Sequence, residues 1–409
     1  MRARYFYGYN IVAACFAIQG ICLGVMFAYG VFFKEFQVEF GWSRATISGT
    51  SSLSFLVMGV VGILAGRLND RIGPKILIVA AGISYGLGFF FISRLQAPWQ
   101  LYLLYGVLVG AALSTHEVIT LSTVTRWFMR RRGLMSGVVK VGTGFGQLLL
   151  PLIATALITA YGWRNACVII GTVVLVTLIA AAQALRRDPQ EMGLLPDGVS
   201  NESWSAGNGS EERGVPLMTA VRMNQFWIIC VAEFAILFCL LTVIVHIVPH
   251  ATDLGLPPVT ATAVLSTIGG VSMIGRIVMG AMIDMIGGKR SLLICLSALI
   301  CGLISLQMAA EAWMLFLFAT IYGFAHGGLF TIMSPTVAEL FGTGSHGVIF
   351  GIVMFSGAMG GAVGPMLAGR AFDVSGSYQL VFLVLTGLAV LGFVLITLLR
   401  SPRVADTGR

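Results

Sequence analysis

Charge is what this chain has least of. Asp, Glu, Lys and Arg supply only 10% of its 409 residues, while hydrophobic side chains supply 57%. Ordinary soluble domains carry about 25% charged residues, so a water-soluble globular fold is excluded. Metal-ligand spacing is missing as well. The seven cysteines, Cys15, Cys22, Cys167, Cys230, Cys239, Cys295 and Cys301, all fall inside apolar stretches without paired spacing, and they read as small packing residues rather than zinc ligands or a disulfide framework. Enzyme signatures are absent too. The string Gly82, Ser84, Gly86 imitates a hydrolase elbow but lies within an apolar stretch instead of a strand-turn-helix. Glycines 142, 144 and 146 precede no phosphate site, and helix packing explains them better. No enzymatic activity and no cofactor are therefore expected.

What the chain does have is length without charge. Twelve largely uncharged stretches occupy residues 10–33, 46–65, 76–93, 99–125, 134–160, 163–185, 225–248, 260–283, 292–309, 313–340, 348–371 and 380–399. At 1.5 Å per residue each is long enough to cross a hydrocarbon core of ~30 Å. In a soluble protein the net charge of +8 would suggest nucleic acid; here it has a topological origin. Most of the 25 Lys and Arg residues, among them Arg67, Arg71, Lys75, Arg126, Arg130, Arg131, Arg132, Arg186, Arg187, Lys289 and Arg290, cluster in the loops on one side. The positive-inside rule makes that side cytoplasmic, with both termini. The expected setting is the cell (inner) membrane, crossed many times, with the lipid bilayer as partner and no nucleic acid. The first stretch is full length and lacks a small-residue cleavage site, so it is expected to stay as a span.

The chain also repeats itself. At an offset of 214 residues, without a gap, Gly41 meets Gly255, Gly66 meets Gly280, Asp70 meets Asp284, Gly73 meets Gly287, Lys75 meets Lys289, Gly133 meets Gly347, Gly137 meets Gly351 and Pro151 meets Pro365. Matches among glycines, a proline and a loop Asp-Lys pair point to internal duplication rather than shared composition. An apolar duplicated chain suggests a transporter. The expected fold is an all-α integral membrane protein of twelve transmembrane helices in two pseudo-symmetric six-helix bundles, residues 1–185 and 220–409. A polar, aperiodic linker, 186–219, is expected to join them. Its sequons at Asn201 and Asn208 are set aside, because a cytoplasmic loop does not meet the glycosylation machinery.

The run Gly66, Arg67, Leu68, Asn69, Asp70, Arg71, Ile72, Gly73, Pro74, Lys75 resembles the loop between helices 2 and 3 that marks the major facilitator superfamily, and Gly280, Asp284, Gly287 and Lys289 resemble its second copy. The resemblance implies a gating role for Asp70, Arg71, Asp284 and Lys289, as caps on neighbouring helix ends. Trp127, Phe128, Arg130, Arg131, Gly133, Leu134, Gly137 and Gly142 are similar to the helix 5 signature of monocarboxylate transporters. Phe32-Phe33-Lys34-Glu35, the segment from His246 to Gly255 and Ala338-Glu339-Leu340-Phe341-Gly342 look like prokaryotic members of that group and its oxalate/formate antiporter relatives. The resemblance implies that Arg276 binds a carboxylate. It is incomplete in two places: the acidic residue usual four positions before that arginine is Ser272 here, and no Lys or Arg occurs between Gly347 and Gly369 where oxalate carriers use a second cation. A monocarboxylate is therefore favoured over a dicarboxylate.

The residues give an independent reason to single out the ionisable groups inside spans, since each is costly in lipid unless it faces protein or water. Arg276 offers a planar fork suited to a carboxylate. His116, Glu117, Lys140, Glu233 and Arg276 all lie roughly 10–15 Å from the cytoplasmic interface and are expected to share one polar layer. Glu117 is the first candidate proton carrier, Glu233 the second and His326 a third. Lys140, His116, Tyr29, Tyr322 and Ser356 are candidate substrate contacts, each weighed against plain packing or, for Lys140, snorkelling to the interface. The favoured function is proton-coupled symport of a small organic anion, lactate-like or pyruvate-like, by alternating access. The alternatives are an oxalate/formate-type anion exchanger and a membrane carboxylate sensor without flux.

Overall fold

The computed structural model describes residues 6–198 and 214–399, which leaves Asn201 and Asn208 outside the described residues. Its long elements are α1 (Gly8–Phe40), α2 (Arg44–Ile72), α3 (Pro74–Ile92) and α4 (Pro98–Trp127). A 53-residue run, Arg132–Ala184, holds α5 and α6, parted at Gly162, whose φ of 76° and ψ of 157° are not helical. The second half contains α7 (Asn224–Asp253), α8 (Pro258–Ile286), α9 (Gly288–Gln307), α10 (Ala312–Phe341), α11 (His346–Ser375) and α12 (Gln379–Thr397). No strand occurs among the described residues. That outcome follows from the solvent: with no water to satisfy peptide groups, a spanning segment has to close its hydrogen bonds within itself.

Helix ends carry recognisable local chemistry. Ser43 caps α2 by accepting from the Thr46 amide at 3.1 Å, the ordinary role of serine at that position. Gly73 and Gly287 turn the chain into α3 and α9 with φ of 83° and 81°, a region that glycine enters without a Cβ penalty. Gly162 and Gly376 do the same between α5 and α6 and between α11 and α12, at 76° and 67°. Each of these pairs is separated by 214 residues, as are the starts and ends of α2 and α8, and of α4 and α10. The duplication seen in the sequence is thus a duplication of elements. One element departs from it: α4 is wound as π-helix over Tyr102–Val109, whereas α10 is α-helical throughout.

Two compact units emerge, Met1–Arg213 with Thr343–Gly351, and Gly214–Gly342 with Ile352–Arg409. In the first, α1 packs on α5, α2 on α4 and α3 on α6, each through glycine. A Cβ on Gly146 would lie 1.9 Å from the Gly20 carbonyl oxygen, one on Gly110 2.9 Å from the Ser54 backbone, and one on Gly171 2.9 Å from the Gly86 carbonyl oxygen. In the second unit α7 packs on α11 and α8 on α10 in the same way, with Gly360 against the Phe234 carbonyl and Gly327 against that of Ser272. Close backbone approach of this kind holds helices together where lipid offers no hydrophobic drive between them. The described part of the linker is also ordered: the Asp197 carboxylate accepts from the amides of Met129 and Arg130 at 3.0 and 2.8 Å, tying residues 189–198 to the α4–α5 turn.

The crossing of α1 and α5 sets a first expectation. Gly146→Val forces the two backbones apart and is expected to lower stability by about 1–3 kcal/mol, read from thermal or denaturant unfolding in detergent micelles. Gly30→Ala, where no heavy atom lies within 4 Å of the added Cβ, is expected to leave the midpoint unchanged or slightly raised.

Candidate functional site

A buried polar assembly in the first unit sits where α1, α4 and α5 meet. Lys140 Nζ donates to both oxygens of Glu117 at 2.8 Å. Gln19 joins all three helices: its amide nitrogen donates to Glu117 Oε2 at 3.3 Å, to Thr120 Oγ1 at 3.0 Å and to the His116 carbonyl at 3.1 Å, and its oxygen accepts from Thr143 at 2.9 Å. His116 Nε2 lies 3.8 Å from Glu117 Oε2, while His116 Nδ1 contacts the Leu113 carbonyl. Adjacent positions on a helix differ by ~100°, yet these two side chains curl towards each other. Glu117 is 8% exposed, Lys140 2% and Gln19 0%. A buried ion pair is costly to assemble but strongly resists losing one partner, and the Gln19 amide adds a further donor to one oxygen of the carboxylate.

A second assembly stands at the helix ends around Asp70. Asp70 on α2 accepts from the amides of Gly347 and Val348, both at 3.0 Å, and from the guanidinium of Arg126 at the end of α4. The two amides open α11, so the carboxylate caps a helix amino terminus, where its charge is favoured. Arg126 is 7% exposed, and its Nε lies 3.9 Å from Asp188, just past α6. Arg71 is exposed and contributes its carbonyl, which accepts from Arg187 at 3.3 Å. In the second unit Lys289 Nζ donates to the carbonyls of Thr397 and Leu399 at 2.7 and 2.6 Å, closing the end of α12 with a cation. Glu339 accepts from the Gly288 amide at 2.7 Å and caps α9. Asp284 is half-buried near the end of α8.

The remaining candidates lie in the second unit, apart from Tyr29 on α1 of the first. Arg276 on α8 is 4% exposed and Glu233 on α7 3% exposed; Ser272, one turn before Arg276, is also buried. His326 is half-buried between Tyr322 and Phe330, with ring centroids 6.0 and 5.0 Å away. The candidate hydroxyls are engaged with helices: Tyr322 donates to the Leu240 carbonyl at 2.7 Å, Ser356 to that of Cys230 at 2.9 Å, and Tyr29 to that of Ile47 at 3.2 Å while pairing with Thr50. Each of these hydroxyls ties two helices together, so binding a solute there means breaking an internal bond.

Gln19, Thr143, Arg126 and Glu339 were not among the sequence candidates. For Arg126 the available signal is its place at the last helical turn of α4, one residue before Trp127, whose indole donates to the Arg186 carbonyl at 3.0 Å. For Gln19 it is an amide set well inside an otherwise apolar run.

Comparison with known proteins fits this architecture. The chain matches the Major Facilitator Superfamily over residues 12–310 and 272–409. It is 29% identical over 395 residues to monocarboxylate transporter 13 of Bos taurus, covering 96% of this chain and 89% of that one. It is 26% identical over 345 residues to YhjX, an uncharacterized MFS-type transporter of Escherichia coli (strain K12), covering 84% and 83%. In fold it is similar to FucP, a Major Facilitator Superfamily transporter crystallised in the outward conformation, with a TM-score of 0.73 at 14% identity and coverage of 94% and 97%. The human organic anion transporter MFSD10 gives a TM-score of 0.70 at 14% identity, covering 95% and 99%. The internal repeat, the helix pairing within each unit and the match along the chain converge: this multi-pass membrane protein belongs to the Major Facilitator Superfamily of transporters.

Proposed function

We propose that the protein carries a small monocarboxylate, lactate-like or pyruvate-like, together with a proton, by alternating access across the cell (inner) membrane with both termini cytoplasmic. The observation that carries this reading is Arg276, a guanidinium 4% exposed inside a membrane span. A fixed positive fork at that depth binds a carboxylate through two parallel hydrogen bonds and is far too costly to keep without a purpose. Support comes from relatives named monocarboxylate transporters. The absence of any Lys or Arg between Gly347 and Gly369 favours one carboxylate over two. The excess of Lys and Arg in one set of loops supports the orientation.

Within this reading, Glu117, Glu233 and His326 are the groups in the spans able to hold the proton. Lys140 and His116 serve the anion through the field they set up around Glu117. Asp70, Arg71, Asp284 and Lys289 act at helix ends on the cytoplasmic side, where making and breaking caps accompanies the transport cycle.

Two tests follow. Arg276→Lys keeps the charge but removes the fork; uptake of labelled lactate or pyruvate into proteoliposomes is expected to fall by at least about tenfold, equivalent to about 1.4 kcal/mol, and native uptake by this variant would exclude bidentate binding. In counterflow, unlabelled lactate, pyruvate or acetate is expected to compete. Failure of all three removes the substrate class, and a strict requirement for preloaded internal anion would turn the carrier into an exchanger.

A further inference from the structure

The 214-residue offset pairs contacts as well as residues. Gly146 faces the Gly20 carbonyl and its twin Gly360 faces the Phe234 carbonyl, with Cβ-to-oxygen approaches of 1.9 and 2.2 Å. Gly142 faces the Phe16 carbonyl, and its twin Ser356 hydrogen-bonds the Cys230 carbonyl at 2.9 Å. The crossings of α1 with α5 and of α7 with α11 are therefore one structure built twice, and Glu233 occupies in the second copy the place of Gln19 in the first. The neighbours follow suit. Gln19 binds Thr143, whose twin is Gly357, and a Cβ on Gly357 would lie 2.9 Å from the Glu233 Cγ.

The two copies are chemically different at this place. In the first, the acid stands on α4 as Glu117, both of its oxygens are held by Lys140, and the α1 position carries a neutral amide. That group balances its own charge without a proton. In the second copy the twins of Glu117 and Lys140 are Thr331 and Met354, neither ionisable, and the Thr331 hydroxyl donates to the Gly327 carbonyl at 3.0 Å. The acid has moved to the α7 position and the cation to α8. Glu233 lies about 14 Å from the start of α7 and Arg276 about 15 Å from the end of α8, so they share one depth. Titratable neighbours on the elements packed with α7 are Cys230, Cys239, His246, His250 and Asp253 on α7 itself, Arg276 and Asp284 on α8, Tyr322, His326 and Glu339 on α10, and His346, Arg370 and Asp373 on α11; α12 brings none. Of the cations among them, only Arg276 shares the depth of Glu233.

Resting on the transport reading above, we propose that Glu233 is the carboxylate that carries the co-transported proton, at the position where the first bundle holds Gln19. When the carried anion takes the Arg276 fork, Glu233 accepts a proton and becomes neutral; when the anion leaves, the proton leaves with it. Glu117, which keeps its lysine throughout, remains a charged brace. One negative solute and one positive proton thus cross together, and the cycle moves no net charge.

The test compares the native protein with Glu233→Gln and Glu233→Asp in proteoliposomes. Native protein is expected to accumulate labelled lactate or pyruvate about tenfold per pH unit of inward gradient, as one coupled proton requires, and Glu233→Gln about onefold. Gradient-driven accumulation retained by Glu233→Gln overturns the proposal. Where Glu233→Gln is inert, Glu233→Asp decides: accumulation with a displaced pH profile supports the assignment, and an undisplaced profile overturns it. The protonated-carboxyl infrared band of the purified protein gives a readout free of substrate. A band that titrates in the native protein and is lost in Glu233→Gln supports Glu233 as the proton site even if no tested acid is carried, in which case the substrate reading alone fails; a band unchanged by the substitution overturns the proposal.

Discussion

A carboxylate inside hydrocarbon has to bring either its own cation or its own proton, and the internal organisation of this protein follows from that requirement. Glu117 meets it with Lys140, and Asp70 with Arg126 and the first amides of α11. Glu339, exposed at a helix end, instead caps the amide that opens α9. These solutions differ in how firmly they bind the charge. A lysine gripping both oxygens and braced by an amide defines a fixed point in the first unit, whereas a helix-end cap is built from groups that water at the interface can replace. Fixed pairs deep in the spans and exchangeable ones near the surface are the division of labour a membrane carrier needs.

Glycine makes the deep pairs reachable. Gln19 touches α4 and α5 at once only because Gly20 and Gly146, and Gly24 and Gly146, bring α1 and α5 to backbone contact. With a larger residue at the crossing the amide would fall short of Thr143, and the braced pair would lose the group that orients it. The same glycine pattern brings Glu233 against α11 in the second unit. Packing and electrostatics are thus not separable layers here: the small residues set the distances at which the charges operate.

Much of the fold was legible because its determinants are periodic or local. The apolar stretches, the duplication and the break at Gly162, which falls between the stretches 134–160 and 163–185, all leave marks in the chain itself. The site was legible in part. Glu117, Lys140, Glu233 and Arg276 stand out as charges in apolar surroundings, but which of them pair depends on helices far apart in sequence. Arg126 illustrates the difficulty: it ends an apolar stretch among other basic residues and looks like a loop charge, yet its partner Asp70 is 56 residues away. Gln19 carries no charge and so gives no signal of cost. The hydroxyls of Tyr29, Tyr322 and Ser356 looked available because sequence does not reveal which carbonyl on a neighbouring helix will claim them. The linker was read as polar and aperiodic, and composition gave no hint that Asp197 accepts from two amides on the α4–α5 turn.

The π-wound stretch of α4 has a geometric outcome. Pro98–Trp127 and its twin Ala312–Phe341 hold the same number of residues, yet the wider i→i+5 turns over Tyr102–Val109 advance each residue through a smaller angle than an α-turn does. Everything beyond Val109 is consequently swivelled about the helix axis relative to α10. Beyond it, Glu117 meets groups of α1 and α5, whereas its twin Thr331 bonds a carbonyl of its own helix. The looser winding is thus a backbone feature that the first bundle has and its duplicate lacks, beside the side-chain differences between the two copies.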